Sequence, residues 1–460
     1  MTFSLTDAAP RPLWWDLHDT AAVSAPLTGV DSADLVIVGA GLTGLWAAIE
    51  ATAELSSGDI VLLDAGTVGT GASGRNGGFI SDSLTHGLAH GQHLWADELT
   101  TLVELGRRNL DETAAFLARE GIDADLRRCG KTVLATRTHE VATLRSLREL
   151  HVRFGDEAHF QDRDEVRADV DSPTYLAGLR ITSGGGLVDP LALTLGLRDA
   201  ALARGVRLHE GSEVVRVSID GAGVRVDTPR GRIHARQVLL ATNAYRPLLR
   251  RLRLLAVPVW DHVIATEPLS AAQLAALGWR DAQGLTDAGN QFHYYRRTRD
   301  DRIVFGGYDA NYYFGSKREP TLEQSRSHDL LAGHLQRTFP QLGGVAITHR
   351  WGGMIDTSSR FTVSVGTALR GRLAYVLGFT GLGVGASRFG ALTALDRLAG
   401  RSTERTRLAM MRRPPVPFPP EPIRWLGVQA TRAAMVREDR TGRRGALLRA
   451  LDTLGIGFDS

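Results

Sequence analysis

Asp34-Leu-Val-Ile-Val-Gly39-Ala-Gly41-Leu-Thr-Gly44 is the stretch on which the reading of this chain turns. Its first half is short, rich in branched apolar residues and ended by glycine, the pattern of a strand buried on both faces. Residues 42–55 are alanine-rich with helical spacing, and Asp59-Ile-Val-Leu-Leu-Asp64 reads as a second buried strand. The unit is a parallel β-α-β crossover of about 30 residues. Gly39 is expected to make the tight turn, Gly41 to let the backbone approach a pyrophosphate, and Gly44 to permit close helix–sheet packing. Thr43 stands among them in the first turn, where helix N–H groups and the dipole favour phosphate. Asp64 closes the second strand 20 residues after Gly44, where it can accept hydrogen bonds from a ribose diol. The pattern points to a dinucleotide without separating NAD from FAD. A glycine-rich turn with no nucleotide is the alternative.

The rest of the chain sets bounds on that reading. Its 460 residues are enough for two domains or one two-lobed enzyme. With 43% hydrophobic and 23% charged residues, the composition is globular. Lys131 and Lys317 are the only lysines, so arginine carries nearly all of the positive charge, yet the net charge is only +3. Acids are interspersed throughout, so the sequence pI of 9.2 implies no basic face and no nucleic-acid partner. Cys129 is the sole cysteine, which excludes an internal disulfide, a CxxC pair and a cysteine-built zinc site. No secretory signal or membrane-length apolar run is visible, so a cytoplasmic protein is expected.

Helices are expected at 94–120, 138–153, 190–204, 321–338 and 387–399. Strands are expected at 125–136, 173–182, 206–219, 223–228, 232–241 and 373–377, with strand-like alternation over 256–315. Residues 1–32 form a polar arm that Trp14 and Trp15 dock onto the body. Residues 401–460 carry 12 arginines against 6 acids around an amphipathic tail. That tail is expected to pack on its own domain or at a subunit interface rather than on a membrane.

Gly71-Ala-Ser-Gly-Arg-Asn-Gly-Gly-Phe79 follows Asp64 almost directly. Here the sequence resembles the FAD-dependent oxidoreductases of the D-amino-acid oxidase superfamily, most of all the branch of gamma-glutamylputrescine oxidases and aminophosphonate oxidoreductases. The resemblance continues in order through Gly186-Leu-Val-Asp-Pro190, Ala241-Thr-Asn-Ala-Tyr245, Gly378–Ser387 and the closing Leu454–Ser460. It implies an α/β (α+β overall) fold in which a Rossmann-type FAD-binding domain is interleaved with a mixed-sheet substrate domain. The FAD-binding parts would be 1–100, 183–250 and 350–400, the substrate parts 101–182 and 251–349, and 401–460 a helical tail.

The resemblance also implies cofactor contacts at Ser73, Arg75, Asn76, Gly77, Gly78, Val214, Thr242, Gly381 and Gly383. A structural turn is the alternative for each. No histidine or cysteine stands in the RNGG loop, so non-covalent FAD is expected. Substrate-pocket candidates are Arg75, His293, Tyr295, Trp351 and Leu382. Alternation sets His293 and Tyr295 on one strand face and Tyr294 and Arg296 on the other, without saying which looks into the cavity. Sheet packing is the alternative for these aromatics. Relatives resembling sarcosine oxidase carry an oxygen-activating lysine where this chain has Gly385, and histidine is frequent in related turns where Leu382 stands.

His86, His90 and His93 have i, i+4, i+7 spacing and raise a metal face. Gly87 and Gly91 weaken a helix there, and structural histidines with no metal are expected. The implied activity is oxidation of an amine or amino-acid C–N bond, with hydride passing to flavin N5 and the imine then hydrolysed. Electrons would go to oxygen or, as the alternative, to a quinone or carrier protein. A carboxylate or phosphonate on the substrate would call for a cationic clamp, and a polyamine for aromatics and carboxylates.

Overall fold

The computed structural model describes residues 4–55 and 59–457. The last three residues of the closing Leu454–Ser460 motif therefore lie outside the described residues.

The chain enters its first sheet in β1 (Gly29–Val38), crosses through α1 (Leu42–Ala51) and returns in β2 (Ile60–Leu63). The glycine-rich loop ends in the two-residue β3 (Phe79–Ile80), and α2 (Leu99–Glu120) follows. A second sheet begins with β4 (Lys131–Ala135), α3 (Thr138–Arg153), β5 (Ala158–Gln161) and β6 (Ala177–Ile181). β7 (Gly186–Leu187) pairs back with β3, and α4 (Pro190–Ala203) leads to β8 (Arg207–His209). An antiparallel meander comes next: β9 (Arg216–Asp220), β10 (Gly223–Asp227) and β11 (Gly231–Leu240). The second sheet resumes with β12 (Ala256–Thr266), β13 (Gly284–Asp287), β14 (His293–Arg297), β15 (Ile303–Gly307), α5 (Ser327–Thr338) and β16 (Ile347–Ser358). Finally β17 (Ser364–Ala368), β18 (Leu373–Leu377) and α6 (Gly383–Leu398) return to the first sheet, and α7 (Ile423–Thr441) and α8 (Ala446–Thr453) form the tail.

The first sheet runs β17-β18-β11-β1-β2-β8, parallel from β18 to β8, with the strand order of a dinucleotide-binding crossover fold. Its β1 and β2 cores are buried on both faces, which is why they read as continuous apolar runs. The second sheet is mixed, in the order β16-β12-β15-β14-β13-β4-β6-β5. The fold is thus α/β with an antiparallel-rich second sheet, and the two sheets are built from alternating segments of the chain.

Three expectations change at the level of packing. α2 straddles the expected boundary at 101, but its apolar stripe (Leu102, Leu105, Leu110, Phe116, Leu117) packs into the first sheet's core, with Phe116 edge-on to Trp46. α6 begins at Gly383 rather than at 387, and within its first turn Gly385 lets the backbone pack directly against Ser81. The expected strand over 206–219 is two strands, broken where Ser212 N–H bonds back to the Asp64 carbonyl at 2.6 Å. The tail lies along residues 289–316. Asp439 accepts from Asn290 N and Gln291 N, and Glu421 accepts from the Tyr312 hydroxyl. No helix of the described residues is long and apolar enough to cross a membrane.

Candidate active-site cleft

At the β1–α1 turn the glycines do what the spacing asks of them. Gly39 sits at φ +104°, and a Cβ there would meet the Ala241 carbonyl at 2.5 Å. A Cβ on Gly44 would lie 1.9 Å from the Gly39 carbonyl, so the helix touches the strand backbone directly. Ser73 reaches back from the RNGG loop to accept the Leu42 N–H at 2.9 Å, capping α1 beside Gly41 and the buried Thr43. Asp64 accepts Ala40 N–H at 2.7 Å and Gly66 N–H at 2.9 Å, and burial raises its carboxyl above the usual range. Thr242 flanks Gly39 at the end of β11, and Val214 is buried under the same strands. The result is an open cradle at the positive end of α1 with an acid at its rim, suited to a diphosphate flanked by a ribose.

The RNGG loop is held from within and from above. Asn76 donates to the Ala72 and Ser73 carbonyls and accepts the Gly78 N–H, so it shapes the loop rather than reaching out of it. Trp14 Nε1 donates to the Asn76 carbonyl and Trp351 Nε1 to the Arg75 carbonyl, at 2.9 and 2.8 Å. Trp351 is fully buried, a clamp on the loop instead of a pocket wall. The Arg75 guanidinium pairs with Glu323 at 2.7 Å, donates to the Thr70 and Gly352 carbonyls and stacks on Trp15. Its Nε and Nη1 groups thus tie the loop to itself, to Glu323 and to Gly352 of β16. Gly77 and Gly78 leave room for the second sheet: a Cβ on Gly77 would lie 2.4 Å from the Tyr294 ring.

That contact decides between the two faces of β14. Tyr294 and Arg296 face the loop, and His293 and Tyr295 face α5. His293 is bonded to Asp287 at 2.5 Å and to His334 at 2.6 Å. Tyr295 shares a hydrogen bond with Tyr175 inside the helix-covered core. Both are therefore withdrawn as pocket residues, because α5 covers their face. Arg296, with no exposed surface, donates to the Gly78 and Val188 carbonyls at 3.1 and 2.6 Å and lies 3.5 Å from Asp125. Tyr294 donates its hydroxyl to Asp261 at 2.6 Å. Neither Asp261 nor this choice of face was readable from alternation alone.

The turn after β18 closes the cleft. Gly378 and Gly381 sit at φ +81° and +92°, Gly383 opens α6, and half-buried Leu382 packs against the first core at the helix start. Beneath the turn the buried Asp356 carboxylate accepts the Gly378 and Phe379 N–H groups at 2.6 and 3.1 Å. Burial pushes its carboxyl up to about 7. The unfolded carboxyl titrates near 4, so the folded state holds the extra proton between about pH 4 and 7. Its stabilising contribution is present below that window and is lost as pH rises through it. Comparing wild type with Asp356→Asn isolates this term from the buried histidines, whose titration slopes the other way. The wild type's advantage over the variant in urea unfolding should be largest near pH 4 and shrink toward pH 8.

His86 (φ 59°), Asn243 (47°), Phe361 (55°) and Thr380 (48°) are among the non-glycine residues held at left-handed φ. His86 packs on Phe361 and, desolvated, is held neutral with a pKa of about 3. His90 bonds the Arg360 carbonyl and His93 is exposed, so the three histidines do not converge. Among the described residues no cluster of three metal-ligating side chains occurs.

The family described as FAD dependent oxidoreductase (DAO) matches residues 34–395. A gamma-glutamylputrescine oxidoreductase of Escherichia coli K12 is 31% identical over 398 residues, covering 84% of this chain and 88% of its own. A probable oxidoreductase, OrdL, of Haemophilus influenzae is 28% identical over 402 residues, covering 85% and 86%. Among solved structures, glycine oxidase from Geobacillus kaustophilus superposes with a TM-score of 0.67 at 20% identity, over 81% of this chain and 96% of that one. L-proline dehydrogenase from P. horikoshii gives 0.66 at 18% identity, over 83% and 96%.

Proposed function

The chain belongs to the FAD-dependent oxidoreductase family of the D-amino-acid oxidase type, and on that premise we propose that it oxidises a C–N bond of an amine or amino acid. The observation that carries this reading is the cleft itself. A diphosphate cradle at Gly39–Gly44 leads past Ser73 and Thr242 to the RNGG loop and the Gly381–Gly383 turn, and the second sheet lays Tyr294 and Asp261 over the loop.

The residues present fit FAD. The turn around Gly41 and Thr43 would hold the diphosphate, Asp64 the ribose, and the backbone near Val214 the adenine. The RNGG loop and the N–H groups around Gly381 and Gly383 would meet the ring system, with fixed dipoles at the ring's electron-rich edge. With no histidine or cysteine in loop 66–78, the cofactor is held without a covalent bond. When bound, FAD supplies the two-electron oxidation that turns the amine into an imine, which water hydrolyses to a carbonyl compound.

The protein's part is orientation, water exclusion and proton control. The amine must be neutral to react, and Asp261 is the acid placed to manage that proton. Its Oδ2 accepts the Tyr294 hydroxyl, Gly307 N–H supports it, and burial holds its carboxyl above the usual range. Asp261→Asn should therefore lower kcat/KM by about 100-fold, the low end of general acid–base effects. It should also remove the acid limb of the pH profile while leaving flavin content unchanged. An unaltered profile would take Asp261 out of the reaction.

A second reading, electron delivery to a quinone or carrier protein, is favoured by one observation. A Cβ at Gly385 would lie 2.0 Å from the Ser81 carbonyl, so no side chain, lysine included, fits that place. Anaerobic reduction by amine followed by reoxidation in air separates the two. Reoxidation at least as fast as turnover supports oxygen as acceptor; reoxidation far slower supports the alternative.

A further inference from the structure

Lys131 opens β4, pairing with Gly284 on one side and Ile181 on the other. In register it shares a sheet face with Gly284, Val133 and Tyr294. A Cβ on Gly284 would lie 2.4 Å from the Phe79 ring, which itself packs edge-on against Tyr294 with centroids 5.8 Å apart. Lys131 therefore stands one strand beyond the ring that ends the RNGG loop. Its side chain is solvent-accessible, yet burial is the main influence on it and depresses its pKa. The Lys131 side chain thus keeps solvent access beside Gly284 and Phe79 while protein crowds it closely enough to disfavour its charge.

Asp82, three residues after Phe79, borders the same space. A Cβ on Gly184 would meet its carboxylate at 2.8 Å, so the missing side chain at Gly184 makes room for it. Its carboxyl is raised by burial, and the charges that act on it are Asp156, Arg107 and Lys131. Asp156 is already engaged by Arg107 at 2.8 Å, His151 at 2.7 Å and Ser183 at 3.1 Å. His86 is neutral. Among the described residues neither the Lys131 ammonium nor the Asp82 carboxylate bonds or pairs with another side chain, Asp82 accepting only its own backbone N–H, and the two stand beyond ion-pair distance of each other. A chain that meets nearly every other need for positive charge with arginine thus keeps an unpaired lysine in its cleft.

We propose that Lys131 is the specificity-determining residue that binds an anionic substituent, a carboxylate or phosphonate, on the amine substrate. This rests on reading the chain as a flavin-dependent amine oxidoreductase. A desolvated ammonium with no partner gains a charge-assisted hydrogen bond when a ligand brings an anion, whereas a simple diamine would set a like charge against it. The Asp82 charge, beyond ion-pair distance, acts on the ammonium through space and opposes a second anion there. The substrate class is then an amine that carries an acid group, and unsubstituted polyamines are rejected.

The test uses the flavin-loaded protein and follows the 450 nm band during titration with acetate, methylphosphonate, acetamide and propylammonium. Wild type should bind the two anions saturably and tighter than acetamide, with affinity falling as pH rises and the lysine loses its proton. Lys131→Met should weaken both anions by about 30-fold, the size of one charged hydrogen bond, and leave acetamide unchanged. Asp82→Asn, which keeps the lysine, should tighten anion binding and serves if Lys131→Met does not fold. Equal anion affinity in wild type and Lys131→Met, no tightening in Asp82→Asn, or tighter binding of propylammonium than of the anions by wild type would overturn the assignment. Protein that carries no flavin would instead defeat the underlying functional reading, so the two failures are distinguishable.

Discussion

Gly44→Ala is expected to yield protein without flavin, or no soluble protein. The added methyl would lie 1.9 Å from the Gly39 carbonyl oxygen and 3.0 Å from its carbon, both backbone atoms. Gly39 cannot retreat, because its N–H is bound to the Leu63 carbonyl at 2.7 Å and its own left-handed backbone is pressed against Ala241. α1 would have to lift off β1, taking Leu45, Trp46 and Ala48 out of the first core. The cost should exceed the roughly 1–3 kcal/mol usual for one surplus methylene, since no side-chain rotation relieves it. Flavin-to-protein ratio and urea midpoint measure the effect. Gly427→Ala is the control: that glycine lies within α7 with nothing inside 4 Å of a Cβ, so alanine there should be neutral or stabilising by up to about 1 kcal/mol.

Arg296→Met should be nearly as damaging by another route. The guanidinium is fully buried, and although desolvation lowers its pKa to about 10 it is still charged at pH 7. It donates to Gly78 in the RNGG loop and to Val188 ahead of α4, with Asp125 beside it and Trp14 under it. Methionine restores much of the volume but takes the side-chain donor from the buried Val188 carbonyl and one of two donors from Gly78, which keeps the Val188 N–H at 2.8 Å, while Asp125 retains Arg127 at 3.3 Å. Leaving a buried acceptor without its donor costs about 1–3 kcal/mol. Because Gly78 belongs to the RNGG loop that we propose holds the flavin, flavin affinity should fall along with stability. A variant that matched wild type in both denaturant midpoint and flavin retention would show that the loop is anchored elsewhere.

What could be read from the sequence was the part encoded locally. The β1–α1 turn states its own geometry in three glycines. Thr138–Arg153 and Leu373–Leu377 are legible to the residue because periodicity and flanking residues define both ends. The cleft's polar groups were less legible. Asp82, Lys131, Asp261 and Asp356 are spread along the chain, and no local pattern announces the burial that shifts them. His293 and Tyr295 were on the wrong face of β14 because alternation yields two faces and only α5 decides which is covered. Arg75 and Trp351 carried the right address with a different task, since which donors remain free depends on Glu323 and on the loop carbonyls above them. Lys131 stood out in composition as one of two lysines, but its meaning needed the surrounding cleft.

Anaerobic titration of the purified protein's 450 nm absorbance with amino acids, N-methyl amino acids, polyamines and aminophosphonates tests the central claim most directly. The account predicts a yellow protein whose band bleaches with at least one acid-bearing amine, one equivalent per flavin, with a carbonyl compound released. A colourless protein, or a yellow one that no amine in the panel bleaches, would contradict it.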